Sequence, residues 1–184
     1  MNRGLRNNNP LNIRHSASHW QGARAVQTDG SFVQFNSMAY GYRAAWRVLE
    51  SYWKHFTKER EPFNVTNIIS RWAPPVENDT KNYIRTVLML SGLGGNENFP
   101  QPSRGGCYER MERLLRAMTT MECGIAYQEV DVQAIRQGFN LAFPDRNKQK
   151  EQPVKRAEYA DVCISKMPDM KGTTFEDWDE YWNW

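Results

Sequence analysis

The sequence predicts a mainly α-helical domain that carries one small β-hairpin. Several stretches place apolar residues at intervals of three and four, the spacing that puts them on one face of a helix. A single Asp29-Gly30 pair lies between flanks in which apolar residues alternate, which is the pattern of a tight hairpin. With 184 residues, 40% of them hydrophobic, the chain is long enough to bury one core.

The first third of the chain contains a turn, the hairpin and a long helix. Residues 1–22 are polar, with an Asn-Asn-Asn-Pro turn, and residues 23–35 surround the Asp-Gly pair. An amphipathic helix is predicted over about 39–58, because Tyr42, Trp46, Leu49 and others keep the three-four spacing.

Shorter helices follow, each predicted from a capping residue, an apolar stripe or a stop signal. They cover about 64–72, 79–92, 107–121 and 131–143. Asn64 caps the first, either Asp79 or Thr80 caps the second, and Asp131 caps the last. Pro74-Pro75 stops the first of these helices.

The chain divides into a domain, residues 1–143, and a C-terminal segment, residues 144–184. Residues 145–160 have the composition of a linker. The final twelve, residues 173–184, hold four acids and five aromatic residues but no base. Such a tail binds a partner or folds back onto a basic domain.

Charge and cysteine content narrow the function classes. Residues 1–100 carry 12 Lys and Arg against 7 Asp and Glu. This excess of positive charge suits an anionic partner such as cell-wall polymer. The alternative is a solvated surface that has no specific partner. The formal net charge of +3 and the absence of a known module argue against nucleic acid. Three scattered cysteines show no metal or disulfide pattern, so no metal or cofactor is predicted.

The sequence shows no secretory signal and no apolar run long enough to span a membrane. We therefore expect synthesis in the cytoplasm. Action at the cell wall or periplasm requires that something else, such as a virion or a secretion system, carries the protein there.

Glu122 lies where a charge is unexpected. The apolar stripe Met111, Leu114, Leu115, Met118 continues onto Glu122, near a helix C-terminus. Desolvation and the negative end of the helix dipole both favour a protonated carboxyl there. Such a group is the general acid that glycosidic bond cleavage needs. The alternative is a helix-end glutamate that turns into solvent.

Two long motifs carry a resemblance over about residues 3–142. The first is Arg3-Gly4-Leu5-Arg6-Asn7-Asn8-Asn9-Pro10-Leu11-Asn12-Ile13-Arg14 with Trp20-Gln21-Gly22, and the second is Arg71-Trp72-Ala73-Pro74-Pro75-Val76-Glu77-Asn78-Asp79-Thr80. Both resemble phage and prophage proteins that are usually labelled virion structural proteins or putative lysins. Those proteins usually have Gly at the position of Leu11, and commonly His-Glu-Asn-Gly where this chain has Met121-Glu122-Cys123-Gly124.

A weaker resemblance connects the chain to lysozyme-like cell-wall glucosaminidases. They share a Glu-containing helix end, an Asn-rich segment, a Trp-x-Gly, a hairpin and an Asp followed by a Tyr helix. Here these features occur in rotated order, as a circular permutation would produce. The resemblance implies a lysozyme-like helical domain in which Glu122 is the catalytic acid and Tyr83 positions the substrate or a nucleophilic water.

Other residues are candidates for the same site, each with a structural alternative. Asp29 at the hairpin tip or Glu77 in the Pro-bounded loop is the predicted second carboxylate, although Asp-Gly is ordinary turn chemistry and Glu77 is equally a solvated side chain. Substrate-binding candidates, with turn, capping or core roles as alternatives, are Asn9, Asn12, Trp20, Trp72, Asp79 and Tyr83. A nucleophilic Cys123–His pair stays open.

These observations predict a glycosidase, hydrolase or lytic transglycosylase, that cuts the glycan strands of peptidoglycan. The rival is a non-catalytic virion or secretion-apparatus component that keeps the fold. A third hypothesis is a delivered antibacterial effector with an immunity partner. A virion, secretion-machine or immunity protein would bind through the 173–184 tail.

Overall fold

The protein is described from a computed structural model that covers residues 2–76 and 78–144. Its helices are α1 (Arg3–Arg6), α2 (Met38–Glu59), α3 (Val65–Trp72), α4 (Thr80–Ser91), α5 (Tyr108–Cys123) and α6 (Val132–Ala142), with short 3-10 turns at Pro102–Arg104 and Tyr127–Glu129. The predicted 145–160 linker, the 173–184 tail and Glu77 lie outside the described residues.

The mainly helical prediction is confirmed, and so are the predicted caps. Side-chain oxygens of Asn64, Asp79 and Asp131 accept hydrogen bonds from backbone N–H groups of Asn67, Asn82 and Ala134 at 2.9, 3.1 and 3.0 Å. Asp79 rather than Thr80 is therefore the cap of α4. Each cap satisfies one of the N–H groups that a helix start leaves without a partner.

Helices α2 and α6 form the centre of the core. Trp46 of α2 is fully buried, and its indole N–H donates to the carbonyl of Ile135 at 3.2 Å. Its ring packs edge-on against Phe139, with 4.9 Å between ring centroids. The two backbones approach closely at Gly138, because a Cβ there would lie 2.8 Å from the backbone nitrogen of Arg43. α5 packs on α4 and also contacts α6, and this arrangement buries its apolar stripe.

The predicted hairpin is not confirmed. Between residues 2 and 36 the structure has only two isolated antiparallel bridges, Arg14 with Phe32 and Ala23 with Phe35. Side chains replace the missing ladder: the Gln27 amide donates to the Gln34 carbonyl at 3.0 Å, and the Gln34 backbone N–H donates to the Gln27 amide oxygen at 2.7 Å. The segment is thus a loop held by polar side chains rather than a pair of strands.

Candidate functional site

Glu122 lies in the last turn of α5, at the edge of the buried stripe. Leu115 and Met118 are fully buried, whereas Glu122 is half-buried. Gly124 ends the helix in the left-handed conformation, with φ +61°. The carboxyl therefore leaves the core where the helix stops, and it lines a cleft of about 390 Å³.

Three donors from three separate segments surround this carboxylate. The Asn12 amide nitrogen donates to Oε2 at 2.9 Å. The Trp72 indole N–H and the Tyr83 hydroxyl donate to Oε1 at 3.2 and 3.0 Å. The structure thus brings three of the predicted substrate-binding residues together with Glu122.

Local structure fixes each donor. Asn12 adopts a left-handed backbone, with φ +48°, at the end of the Asn-rich turn. Asn9, fully buried, holds that turn by donating to the carbonyls of Ile13 and Val33 at 2.9 and 2.8 Å. Trp72 is the last residue of α3. Asn9 thus supports the site from beneath instead of lining the cleft.

Tyr83 lies in the first turn of α4, and the cap of that helix holds it in place. Asp79 acts as this cap and does not line the cleft. The Thr80 hydroxyl donates to the Ala73 carbonyl at 2.6 Å and ties the Pro-bounded loop to the helix. Burial, and next the charge of Glu122, raises the pKa of Tyr83 well above its ordinary value. Its hydroxyl therefore stays protonated and able to donate at neutral pH.

The walls of the cleft contain residues that the sequence analysis did not select. Its lining includes Arg14, Phe32, Val48, Tyr52 and Asn78. Val48 and Tyr52 are four residues apart on α2, in a row beside the core stripe. That second row is the sequence signal that would have identified this wall.

Asp29 lies elsewhere, in a second cavity of about 470 Å³ whose lining includes Arg3, Arg6 and Asn7. Its carboxylate accepts five hydrogen bonds: two from the Arg3 guanidinium, one from the Asn7 amide, and two from the N–H groups of Ser31 and Phe32. The Arg3 guanidinium first, and then the other donors, hold the pKa of Asp29 well below its usual range. The structure does not bring Asp29 together with Glu122.

Two further candidates, Trp20 and Cys123, do not line the cleft. Trp20 is half-buried and packs against the core without lining the cleft. The Cys123 thiol is buried, lies 3.3 Å from the Pro10 carbonyl oxygen, and has its pKa raised to about 11 by burial and, secondarily, by the charge of Glu122. A thiol that keeps its proton is a poor nucleophile.

Within the described part of the chain, no three His, Cys, Asp or Glu side chains gather closely enough to hold a metal ion. In the same residues, no helix combines the length and apolar character that crossing a membrane requires.

Sequence comparison places the chain among phage proteins. It is similar to Protein P5 of Pseudoalteromonas phage PM2, with 35% identity over 144 residues that make up 77% of this chain and 82% of the relative. The chain belongs to the family of that phage protein. No protein-family model matches the chain. Membership in the Protein P5 family establishes the relationship to a phage protein.

Proposed function

We propose that the protein is a peptidoglycan glycosidase in which Glu122 donates a proton to the glycosidic oxygen. The observation that carries the proposal is a half-buried carboxyl, held by three oriented donors, in the wall of an aromatic-lined cleft. The volume of about 390 Å³ falls within the roughly 300–1,000 Å³ typical of small-ligand sites. Trp72 supplies a flat face on which a sugar ring stacks.

The two carboxyl oxygens of Glu122 accept different numbers of hydrogen bonds. Each oxygen offers about two acceptor positions. Trp72 and Tyr83 fill both positions on Oε1, whereas Asn12 fills one on Oε2. Oε2 is therefore the oxygen from which we propose that the proton is transferred.

After the transfer, the proton is on the leaving sugar oxygen and its glycosidic bond to carbon is broken. The three donors then stabilise the carboxylate that remains, without any side chain having to move. A water molecule, activated by a second carboxylate or by Glu122 in its basic form, completes the displacement. Glu77 remains the predicted second carboxylate, and its chain neighbour Asn78 lines the cleft.

The test is the substitution Glu122→Gln, assayed on purified peptidoglycan by release of reducing ends and by mass spectrometry of the products. We expect release to fall by about 100-fold or more, because general acid catalysis contributes roughly 10²–10⁴-fold. Glu109→Gln is the matched control, since Glu109 is exposed on the same helix and does not line the cleft. Unchanged release by the Glu122 variant would remove this residue from the mechanism.

A second candidate is a non-catalytic phage structural component that retains the fold. The relationship to Protein P5 of phage PM2 favours it, as do the departures at Leu11, Met121 and Cys123 from the pattern described above. In the same assay, this candidate predicts that the wild-type protein binds peptidoglycan and releases no reducing ends.

A further inference from the structure

Two arginines, Arg14 and Arg71, contact aromatic rings that line the Glu122 cleft. Arg14 lines the cleft, and its guanidinium lies 5.4 Å from the centre of the Phe32 ring. Arg71 lies over Tyr52, with 5.0 Å between its guanidinium and the ring centre. Phe32 and Tyr52 both line the cleft, so each cation is held against a wall aromatic.

Neither arginine has a carboxylate partner among residues 2–76 and 78–144. The ion pairs in this part of the chain are Arg3 with Asp29, Lys58 with Glu59, and Arg110 with Glu97. Both Arg14 and Arg71 are exposed. Their charge is therefore available to a ligand.

The contacts with the rings hold each guanidinium beside the cleft wall. An arginine that contacts a ring in this way uses none of its N–H donors in a conventional hydrogen bond, and two of these donors match the two oxygens of a carboxylate. Arg3, which lies 4.5 Å from the same Phe32 ring, is neutralised by Asp29 instead. Within the cleft lining, Glu122 is the sole carboxyl of the described residues, so an acidic substrate meets little repulsion.

We propose that Arg14 and Arg71 bind carboxylate groups of peptide stems, so that the substrate is glycan that carries acidic stems and not bare glycan. This inference rests on the proposed function. The stems are the part of the substrate that lies outside the Glu122 cleft when the sugar rings occupy it. Peptide stems leave the glycan strand sideways, and their carboxylates would reach cations at the rim while the sugars contact Glu122.

The experiment compares two substrates, intact peptidoglycan strands and the same strands stripped of stems by an amidase. The full-length protein is assayed for reducing-end release and for co-sedimentation with each substrate. We expect the wild type to prefer stem-bearing strands. Each of Arg14→Gln and Arg71→Gln should weaken that preference by about twofold to fivefold, the range of one ion pair at an exposed site.

The matched controls are Arg6→Gln and Arg85→Gln, which remove the same charge from exposed positions that neither line the cleft nor contact one of its aromatic rings. They should keep the preference for stem-bearing strands. Release from bare strands should stay the same in these two controls, and the Arg14 and Arg71 variants should lose more activity on stem-bearing strands than on bare strands. The preference should also shrink as salt is raised, because exposed charges are screened.

The outcomes separate this inference from the glycosidase function. Equal wild-type cleavage of both substrates overturns the arginine role and leaves the glycosidase standing. No release from either substrate, with binding that still depends on Arg14 and Arg71, overturns the glycosidase and supports stem recognition. Competition by inorganic phosphate as strong as that by free stem peptide would overturn the assignment to carboxylates.

Discussion

At the scale of single residues, Asn12, Trp72 and Tyr83 bind the Glu122 carboxylate from three segments of the chain. Glu122 was visible because a charge continued an apolar stripe, and Asn12, Trp72 and Tyr83 because they lie in long motifs. The pairing of these residues was not visible, since their partner is 39 to 110 positions away. Tyr52 is marked only by its four-residue spacing from Val48, and no linear pattern marks Arg14 as part of the cleft wall.

Asp29 belongs to a residue type that serves both in turns and in catalytic sites. An Asp-Gly pair predicts a turn, and a carboxylate near a turn equally suggests chemistry. Its side chain is only 6% exposed and is bound by Arg3 and Asn7. The turn chemistry accounts for this position, because the carboxylate organises the loop from residue 28 to residue 34.

Asp29 should therefore contribute stability that depends on pH. The fold lowers its pKa, so this contribution is complete above the unfolded-state pKa of about 3.9 and is lost as the pH falls below it. We expect Asp29→Asn to be less stable than the wild type at pH 7, and the difference to narrow towards pH 2. Urea unfolding at several pH values measures it.

Arg3→Gln serves as the partner control for this prediction, since it removes the other half of the ion pair. It should show the same narrowing at low pH. A stability difference that stays constant from pH 7 to pH 2 would show that the Asp29 carboxylate is not the source.

At the scale of elements, helices were predictable and the hairpin was not. Helix signals are local: Asn64, Asp79 and Asp131 occupy the capping positions that their side chains require. A strand needs a partner, and here Gln27 and Gln34 satisfy each other's backbone by side-chain bonds. Alternation around Asp29-Gly30 located the loop but not the type of hydrogen bonding within it.

The contact between α2 and α6 leads to a second prediction. In an open helix, Gly→Ala stabilises by roughly 0.5–1 kcal/mol. At Gly138, a Cβ would lie 2.6 Å from the Cβ of Tyr42 and 2.9 Å from the backbone oxygen of Ala39. Since backbone atoms cannot turn away, we expect Gly138→Ala to destabilise the protein by about 1–3 kcal/mol in chemical denaturation.

Gly106→Ala is the matched control, because its Cβ would meet nothing closer than 4.0 Å. It should change the free energy of unfolding by less than about 0.5 kcal/mol. A Gly138 variant as stable as this control would mean that the two helices separate at little cost.

At the scale of the whole molecule, composition and the spacing of apolar residues are enough to predict a mainly helical fold. They were not enough for the lysozyme-like architecture, which stays an implication of the resemblance. The order of motifs along the chain is compatible with many packings of the six α-helices that the described residues form. What selects one packing is a set of close approaches, such as that at Gly138, and these depend on distant residues.

The predicted division of the chain near residue 143 can be tested by shortening the protein after the domain. All the helices of the described residues, and the core cluster from Leu11 to Phe143, lie before it. We expect a protein shortened to residues 1–148 to keep the helical circular dichroism and a single cooperative thermal transition. Loss of that transition would show that the core needs the segment removed.

The three residues that donate hydrogen bonds to Glu122 all precede it in the sequence, and this order matters during translation. Asn12, Trp72 and Tyr83 all leave the ribosome before Glu122 does. A prematurely terminated chain would thus contain every hydrogen-bond donor of the site and lack the acid they hold. The site is therefore completed only after α5, the next-to-last α-helix of the described residues, has been synthesised.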